Sequence, residues 1–155
     1  MEIKKIAVIG GDRKTSDVSR LRFEGSMLSF REHGIDFNPE VDYQSIRFSF
    51  EDGYKATKKL LENNKNYTAI FAVSDVMTIG ALRALWEAGK KVPEDISIIG
   101  INDIPFAAYS NPPLTTIRTY QKESAKLTVQ KLLERIASGG DMPRQQIMLK
   151  CDLVV

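Results

Sequence analysis

The sequence predicts an α/β fold, a mainly parallel, doubly wound sheet flanked by helices. Three observations carry this. Short apolar runs without alternation, "KIAVIGG" (5–11), "YTAIFAVSD" (67–75) and "VPEDISIIGIND" (92–103), have the composition of parallel strands buried on both faces. Segments of helical periodicity stand between them, which is the pattern of βαβ units. Each run ends in a glycine or polar pair, as a turn out of a strand requires.

Composition narrows the function classes. The 155 residues suit one domain with a real core, and 43% hydrophobic with 27% charged residues is ordinary for a folded globular chain. The net charge is +2, from 22 basic and 20 acidic residues, too balanced to argue for nucleic-acid or membrane binding by this segment. The single cysteine, Cys151, forms no internal disulfide, which is compatible with a cytoplasmic location. No apolar run is long enough to cross a bilayer, and the opening "MEIKKIAVIGG" is too short for a signal peptide. A chain that opens directly on a core strand is expected to be a piece of something longer.

The elements follow in order. After the first strand, "DRKTSD" is a polar loop, and Val18 to His33 carries Leu21, Met27, Leu28 and Phe30 near helical spacing, with Gly34 as the C-terminal stop. "VDYQSIRF" alternates around Tyr43 and Ile46 and reads as a strand. Ser49 is placed to cap the next helix, with Glu51 and Asp52 in its first turn and a stripe of Tyr54, Leu60 and Leu61. Beyond the third strand, "VMTIGALRALWEAGK" is a helix whose apolar face is Met77, Ala81, Leu82 and Leu85, stopping at Gly89. A fourth strand follows, then "TTIRTY" as a fifth. The helix "QKESAKLTVQKLLERIASGG" has the stripe Leu127, Leu132, Leu133 and Ile136, and "QQIMLKCDLVV" closes the chain as a strand.

Parallel sheets of this kind bind ligands at the carboxyl ends of their strands. Those ends are Gly10-Gly11-Asp12, Ser74-Asp75 and Asn102-Asp103. "GGDRKTSD" matches neither the dinucleotide fingerprint nor the P-loop. A phosphoacceptor reading of Asp75 lacks the acidic cluster and the lysine it would need. His33, the only histidine, sits at a helix end where its charge suits the dipole, and no "GxSxG" elbow is present, so a hydrolytic triad is not supported. Cys151 in a strand reads as a core or edge residue, no ligands have metal-binding spacing, and neither catalysis nor a cofactor is expected.

What remains is non-catalytic binding of a polyhydroxylated ligand. Planar polar side chains make paired hydrogen bonds to neighbouring hydroxyls, and an aromatic ring lies under the apolar face. Arg22, Ser74, Asn102 and Phe48 supply that set if the strand ends converge. From spacing alone, Arg22 also fits a solvated helix residue, Asp75 and Asp103 fit helix caps, and Phe48 fits plain core. Trp86 fits core and subunit contact alike.

The segments "RLRFEG" (20–25), "DGYKATKKLL" (52–61), "TAIFAVSDVMTIGALRALWEAGKKVPEDISIIGINDIPFAAYSNPPLTTI" (68–117) and the closing "LLERIASG…P…IML…LVV" resemble the effector-binding domain of the LacI/GalR family of bacterial transcription regulators. The similarity runs over essentially the whole chain. It implies a periplasmic-binding-protein-like C-terminal subdomain built from 1–113 and 145–155. The segment 114–144 resembles the part that crosses back to an N-terminal subdomain, and no DNA-binding domain lies within this sequence. A sugar or related small molecule is the implied effector, and a sugar-binding transport receptor of the same fold is the alternative. The resemblance places Arg22 on the ligand hydroxyls and Phe48 against the ligand as a stacking ring. It adds Ser74 with Asp75, Asn102 with Asp103, and Thr119 and Gln121 from the crossover segment. Ser74 and Asn102 depart from the asparagine and aspartate usual at those positions, which removes a charged acceptor. It further implies a homodimer through Ile79, Leu82, Trp86 and Tyr109, with operator DNA reached only through a domain outside this sequence and no membrane contact. With no first subdomain to cover it, the 121–138 helix is expected to fold back on the domain or onto a neighbouring chain, because each buried Leu or Ile contributes about 1.5–3 kcal/mol.

Overall fold

The computed structural model describes residues 5–63 and 65–155. The opening residues 1–4, read from the sequence as the lead into the first strand, lie outside that range. The order is β1 (Ile6–Gly10), α1 (Asp17–Glu32), α2 (Pro39–Asp42), β2 (Tyr43–Ser45), α3 (Phe50–Glu62), β3 (Ala69–Ala72) and α4 (Asp75–Glu87). Then come β4 (Ser97–Asn102), a 3-10 turn (Pro105–Tyr109), β5 (Thr116–Thr119), α5 (Gln121–Ala137) and β6 (Cys151–Val154). One six-stranded sheet runs β2-β1-β3-β4-β5-β6, parallel except for the antiparallel β5–β6 pair. The crossover from β1 to β2 moves along the sheet in the opposite direction to those from β2 to β3 and β3 to β4. Right-handed connections therefore set α1 on one face and α3 with α4 on the other.

The core follows from the three apolar runs. Val8, Ile9, Ile70, Ala72 and Val73 are buried in the sheet, and Met77, Ala81, Leu82 and Leu85 of α4 close over it, the face its periodicity predicts. The α3 and α4 backbones touch at two glycines, where a Cβ on Gly53 would lie 2.8 Å from Met77 Cα and one on Gly80 2.9 Å from the Phe50 carbonyl carbon. Ser49 caps α3, accepting the Asp52 N–H at 3.0 Å. His33 ends α1 as read, its Nδ1 donating to the Ser29 carbonyl at 2.8 Å.

Four differences have physical causes. In α1 the buried side is Ser19 and Phe30, with Phe23 edge-on to Tyr43 at 5.2 Å, whereas Leu21 and Leu28 face outward. Two stripes of seven-residue spacing, Phe23 with Phe30 and Leu21 with Leu28, compete there, and Tyr43 of β2 packs on Phe23 of the first. The segment before β2 turns helically at Pro39–Asp42, because Asn38 caps it and buried Asp42 accepts back from the Asn38 N–H. The closing strand is shorter than the 145–155 run read for it: only Cys151–Val154 pairs with β5, while Gln145, Ile147 and Leu149 lie along α5 instead.

The fourth concerns α5, which does not fold back on the domain. None of its residues is buried, and Leu132, Leu133 and Ile136 are 56%, 60% and 66% exposed. Segment 142–149 accompanies it, leaving a groove of about 390 Å³ lined by Leu127, Leu132, Met142, Ile147 and Leu149. The helix starts where β5 ends, so it stands off the sheet's edge, out of reach of the core.

Candidate functional site

Register assembles the strand ends into one edge. Ile9 pairs with Ala72, Phe71 with Ile99, and Asn102 with Arg118, so Gly10, Val73, Asn102 and Thr119 leave their strands at nearly the same level. Ile46 N–H donates to the Gly10 carbonyl at 2.8 Å, extending the edge past β2.

Arg22 reaches this edge from α1. Its Nη1 donates to the Val73 carbonyl, the last residue before Ser74. Desolvation lowers its pKa, opposed by the nearby Cys151 and Asp75; an arginine keeps its charge regardless. Among the described residues, the rest of its fork makes no hydrogen bond. Arg22 is thus an anchored, half-desolvated cation and not a solvated helix residue. Ser74 is buried and ends β3 without capping α4, which leaves its hydroxyl uncommitted to the helix.

Phe48 is 45% exposed, so it is not plain core. Its ring lies over Gly11, where a Cβ would stand 2.6 Å from Cε2. The Tyr43 hydroxyl donates to the Gly11 carbonyl at 2.6 Å from below, and burial pushes that hydroxyl up to about 12, so it stays a donor. A glycine with no side chain is therefore gripped between a tyrosine and an outward-facing phenylalanine.

The β4 end is built differently. Asp75 is fully buried, with Oδ1 accepting from Thr116 Oγ1 at 2.5 Å and Oδ2 from the Ile104 N–H at 2.9 Å. Both oxygens are engaged inside the protein, so Asp75 ties β5 and the 3-10 turn to α4 and does not contact a ligand directly. Asp103 pairs with Arg118 at 2.5 Å, an interaction that raises the Arg118 pKa. Asn102 leans its amide toward Thr119 Oγ1 at 3.4 Å. Gln121, the first residue of α5, is exposed and lines a concavity of about 370 Å³ with Thr119, Tyr120 and Cys151.

The structure therefore brings Arg22, Phe48, Ser74, Asn102 and Thr119 to one edge, while Asp75 lies beneath it. Sequence reasoning missed Thr116, Gly100 and Arg118, which hold the edge in place. Gly100 inside the apolar run of the fourth strand was the available signal, since a glycine in a strand marks a close approach.

Of the expected subunit-contact residues, Trp86 and Tyr109 are 68% and 87% exposed, but Leu82 is buried at 7% because it belongs to the inward stripe of α4. Ile79 is half-buried. Phe106, 68% exposed on the 3-10 turn, belongs with the first pair. No helix among the described residues is long and apolar enough to cross a membrane.

In a doubly wound subdomain ligands bind outside the carboxyl ends of the strands, which is where the anchored Arg22 lies. The family model of the periplasmic binding protein-like domain matches residues 2–155, and the chain belongs to that family. The HTH-type transcriptional repressor PurR of Pasteurella multocida (strain Pm70) is 38% identical over 152 residues, 98% of this chain and 45% of that protein. The ribose operon repressor of Haemophilus influenzae (strain ATCC 51907 / DSM 11121 / KW20 / Rd) is 36% identical over 145 residues, 94% of this chain and 43% of its own. A crystal structure of the lac repressor dimer bound to operator and the anti-inducer ONPF superposes with a TM-score of 0.89 at 28% identity, covering 99% of this chain and 51% of that one. The resemblance to the effector-binding domain of LacI/GalR regulators thus holds across the chain. The chain spans less than half the length of these two curated relatives. Both are repressors, which leaves the transport-receptor alternative without support.

Proposed function

We propose that this chain is the C-terminal half of the effector-sensing domain of a LacI-type transcriptional repressor, and that its strand-end edge is one wall of a pocket for a neutral polyhydroxylated molecule. The observation that carries this is Arg22, fixed to the Val73 carbonyl at the strand-end edge, with no other hydrogen bond from its guanidinium among the described residues. Ser74 and Asn102 supply short neutral polar groups beside it, and Phe48 offers a ring face. Asp75 acts from beneath, and Asp103 through Arg118. Among the described residues this edge pairs no nucleophile with a base, which favours the reading of a binding domain.

In the whole protein the second wall would come from another subdomain, with segment 120–150 as the link and the exposed α5 stripe as its packing surface. An effector that binds the closed arrangement more tightly shifts that equilibrium, and linkage carries the shift to the operator-binding heads. A protein acting on chromosomal DNA works in the cytoplasm. Trp86, Phe106 and Tyr109, all exposed, are the residues we assign to contact with a second copy.

The test is a thermal-shift screen of this chain against neutral mono- and disaccharides at millimolar concentration. A ligand at ten times its Kd stabilises by about 1.4 kcal/mol, a rise of about 3–6 °C for a domain of this size. Arg22→Ala should abolish the rise while leaving the unliganded melting point nearly unchanged. A rise that survives Arg22→Ala and Phe48→Ala together overturns the assignment.

A further inference from the structure

The turn after β4 holds two consecutive side-chain-bearing residues at positive φ, Asn102 at +124° and Asp103 at +53°. Glycine is the default in that region, and other residues stay there only where surrounding groups force them. The forcing groups are visible. Asp75 Oδ2 accepts the Ile104 N–H at 2.9 Å, just beyond the turn. Thr116 Oγ1 donates to Asp75 Oδ1 at 2.5 Å and accepts the Asp103 N–H at 3.4 Å. Arg118 Nε holds the Asp103 carboxylate at 2.5 Å. Room for the buried carboxylate comes from Gly100, since a Cβ there would overlap Asp75 Oδ1.

We infer that Asp75 is a positioning residue: its buried carboxylate, through Thr116 and Ile104, clamps the Asn102–Asp103 turn in a left-handed backbone and so fixes where Asn102 stands at the pocket wall. Its importance for the pocket rests on the effector-site reading above; the clamp itself does not. An ordinary structural carboxylate would stabilise the fold without regard to the residue at 102. A clamp makes the two positions interdependent, because backbone strain at 102 exists only while the clamp holds.

The experiment is a double-mutant cycle on the full 155-residue chain by urea unfolding, with no ligand present. Asn102→Gly relieves the strained φ and should raise the folding equilibrium constant about ten-fold in the wild-type background. In Asp75→Asn, where an amide N–H faces a donor and the clamp opens, the same glycine should gain less than about two-fold. Thr116→Val, which removes one arm of the clamp, should give an intermediate gain and serves if Asp75→Asn does not fold. Equal gains in all backgrounds, or no gain in the wild type, overturn the clamp. A cycle that couples as stated beside a sugar screen without any Arg22-dependent shift would overturn the effector reading alone.

Discussion

Replacing Gly100 with alanine adds one methyl group at the most crowded point beneath the candidate site. The new Cβ would overlap Asp75 Oδ1 and stand 2.8 Å from Thr78 Oγ1. Neither neighbour can yield freely. Asp75 is fully buried and already bonded to Thr116 and Ile104, and the Thr78 hydroxyl donates to the Ser74 carbonyl at 2.9 Å. Overpacking of this kind costs about 1–3 kcal/mol, and a displaced carboxylate leaves a buried hydrogen bond unmade for about 1–3 kcal/mol more. The expected loss is about 3 kcal/mol, or about 6–12 °C in melting temperature for a domain of this size. Gly25→Ala is the matched control. It adds the same methyl inside α1 with nothing within 4 Å, and should stabilise by about 0.5–1 kcal/mol through helix propensity. Urea unfolding followed by circular dichroism reads both. A loss under about 1 kcal/mol at Gly100 would refute the packing argument, because the carboxylate would then have slack that this geometry denies it.

Two further predictions concern other parts of the domain. Desolvation would raise the Asp42 pKa, but the Asn38 N–H, the Tyr67 hydroxyl and Lys5 outweigh it and hold the carboxylate below its usual range. Its stabilisation is therefore present above the unfolded-state value of about 3.9 and lost as pH falls through the folded value. Asp42→Ala, which takes the acceptor from the Asn38 N–H and the Tyr67 hydroxyl and leaves Lys5 with Asp36 alone, should cost about 3 kcal/mol at pH 7 and progressively less below pH 4, as read by urea unfolding at each pH. Trp86, the sole tryptophan and 68% exposed, should emit as a solvated indole and be quenched readily by acrylamide in dilute solution; protection that grows with protein concentration and disappears in Tyr109→Asp would place a second copy on that face.

The fold was legible because its strongest signals are local. Uninterrupted apolar runs, a capping Ser49 and the Met77–Leu85 stripe act within a few residues, and the structure places them as read. What failed depends on distant partners. The α1 sequence offers two apolar stripes, and only the position of Tyr43 decides which is buried. Leu82 looked like surface and core at once until the sheet closed beneath it. At the site, Arg22 was legible as a residue but not as an anchored one, since its partner is the backbone of Val73, 51 positions away. Asp75 shows the same limit. A strand-end aspartate reads as a ligand group or a cap, and only the convergence of Thr116 and Ile104 on it reveals a third role. Gly100 signalled a close approach but not what approaches it, and Thr116 was silent because its partner, Asp75, lies 41 positions away.

The most direct test of the account is an amide chemical-shift titration of this chain with the strongest sugar from the screen. The account predicts saturable shifts at Arg22, Phe48, Ser74, Asn102 and Thr119, with Asp75 and Ile104 following as the layer beneath. Saturable shifts confined to another surface, such as the groove lined by Phe71, Ile99 and Leu114 at the opposite end of the sheet, would contradict it.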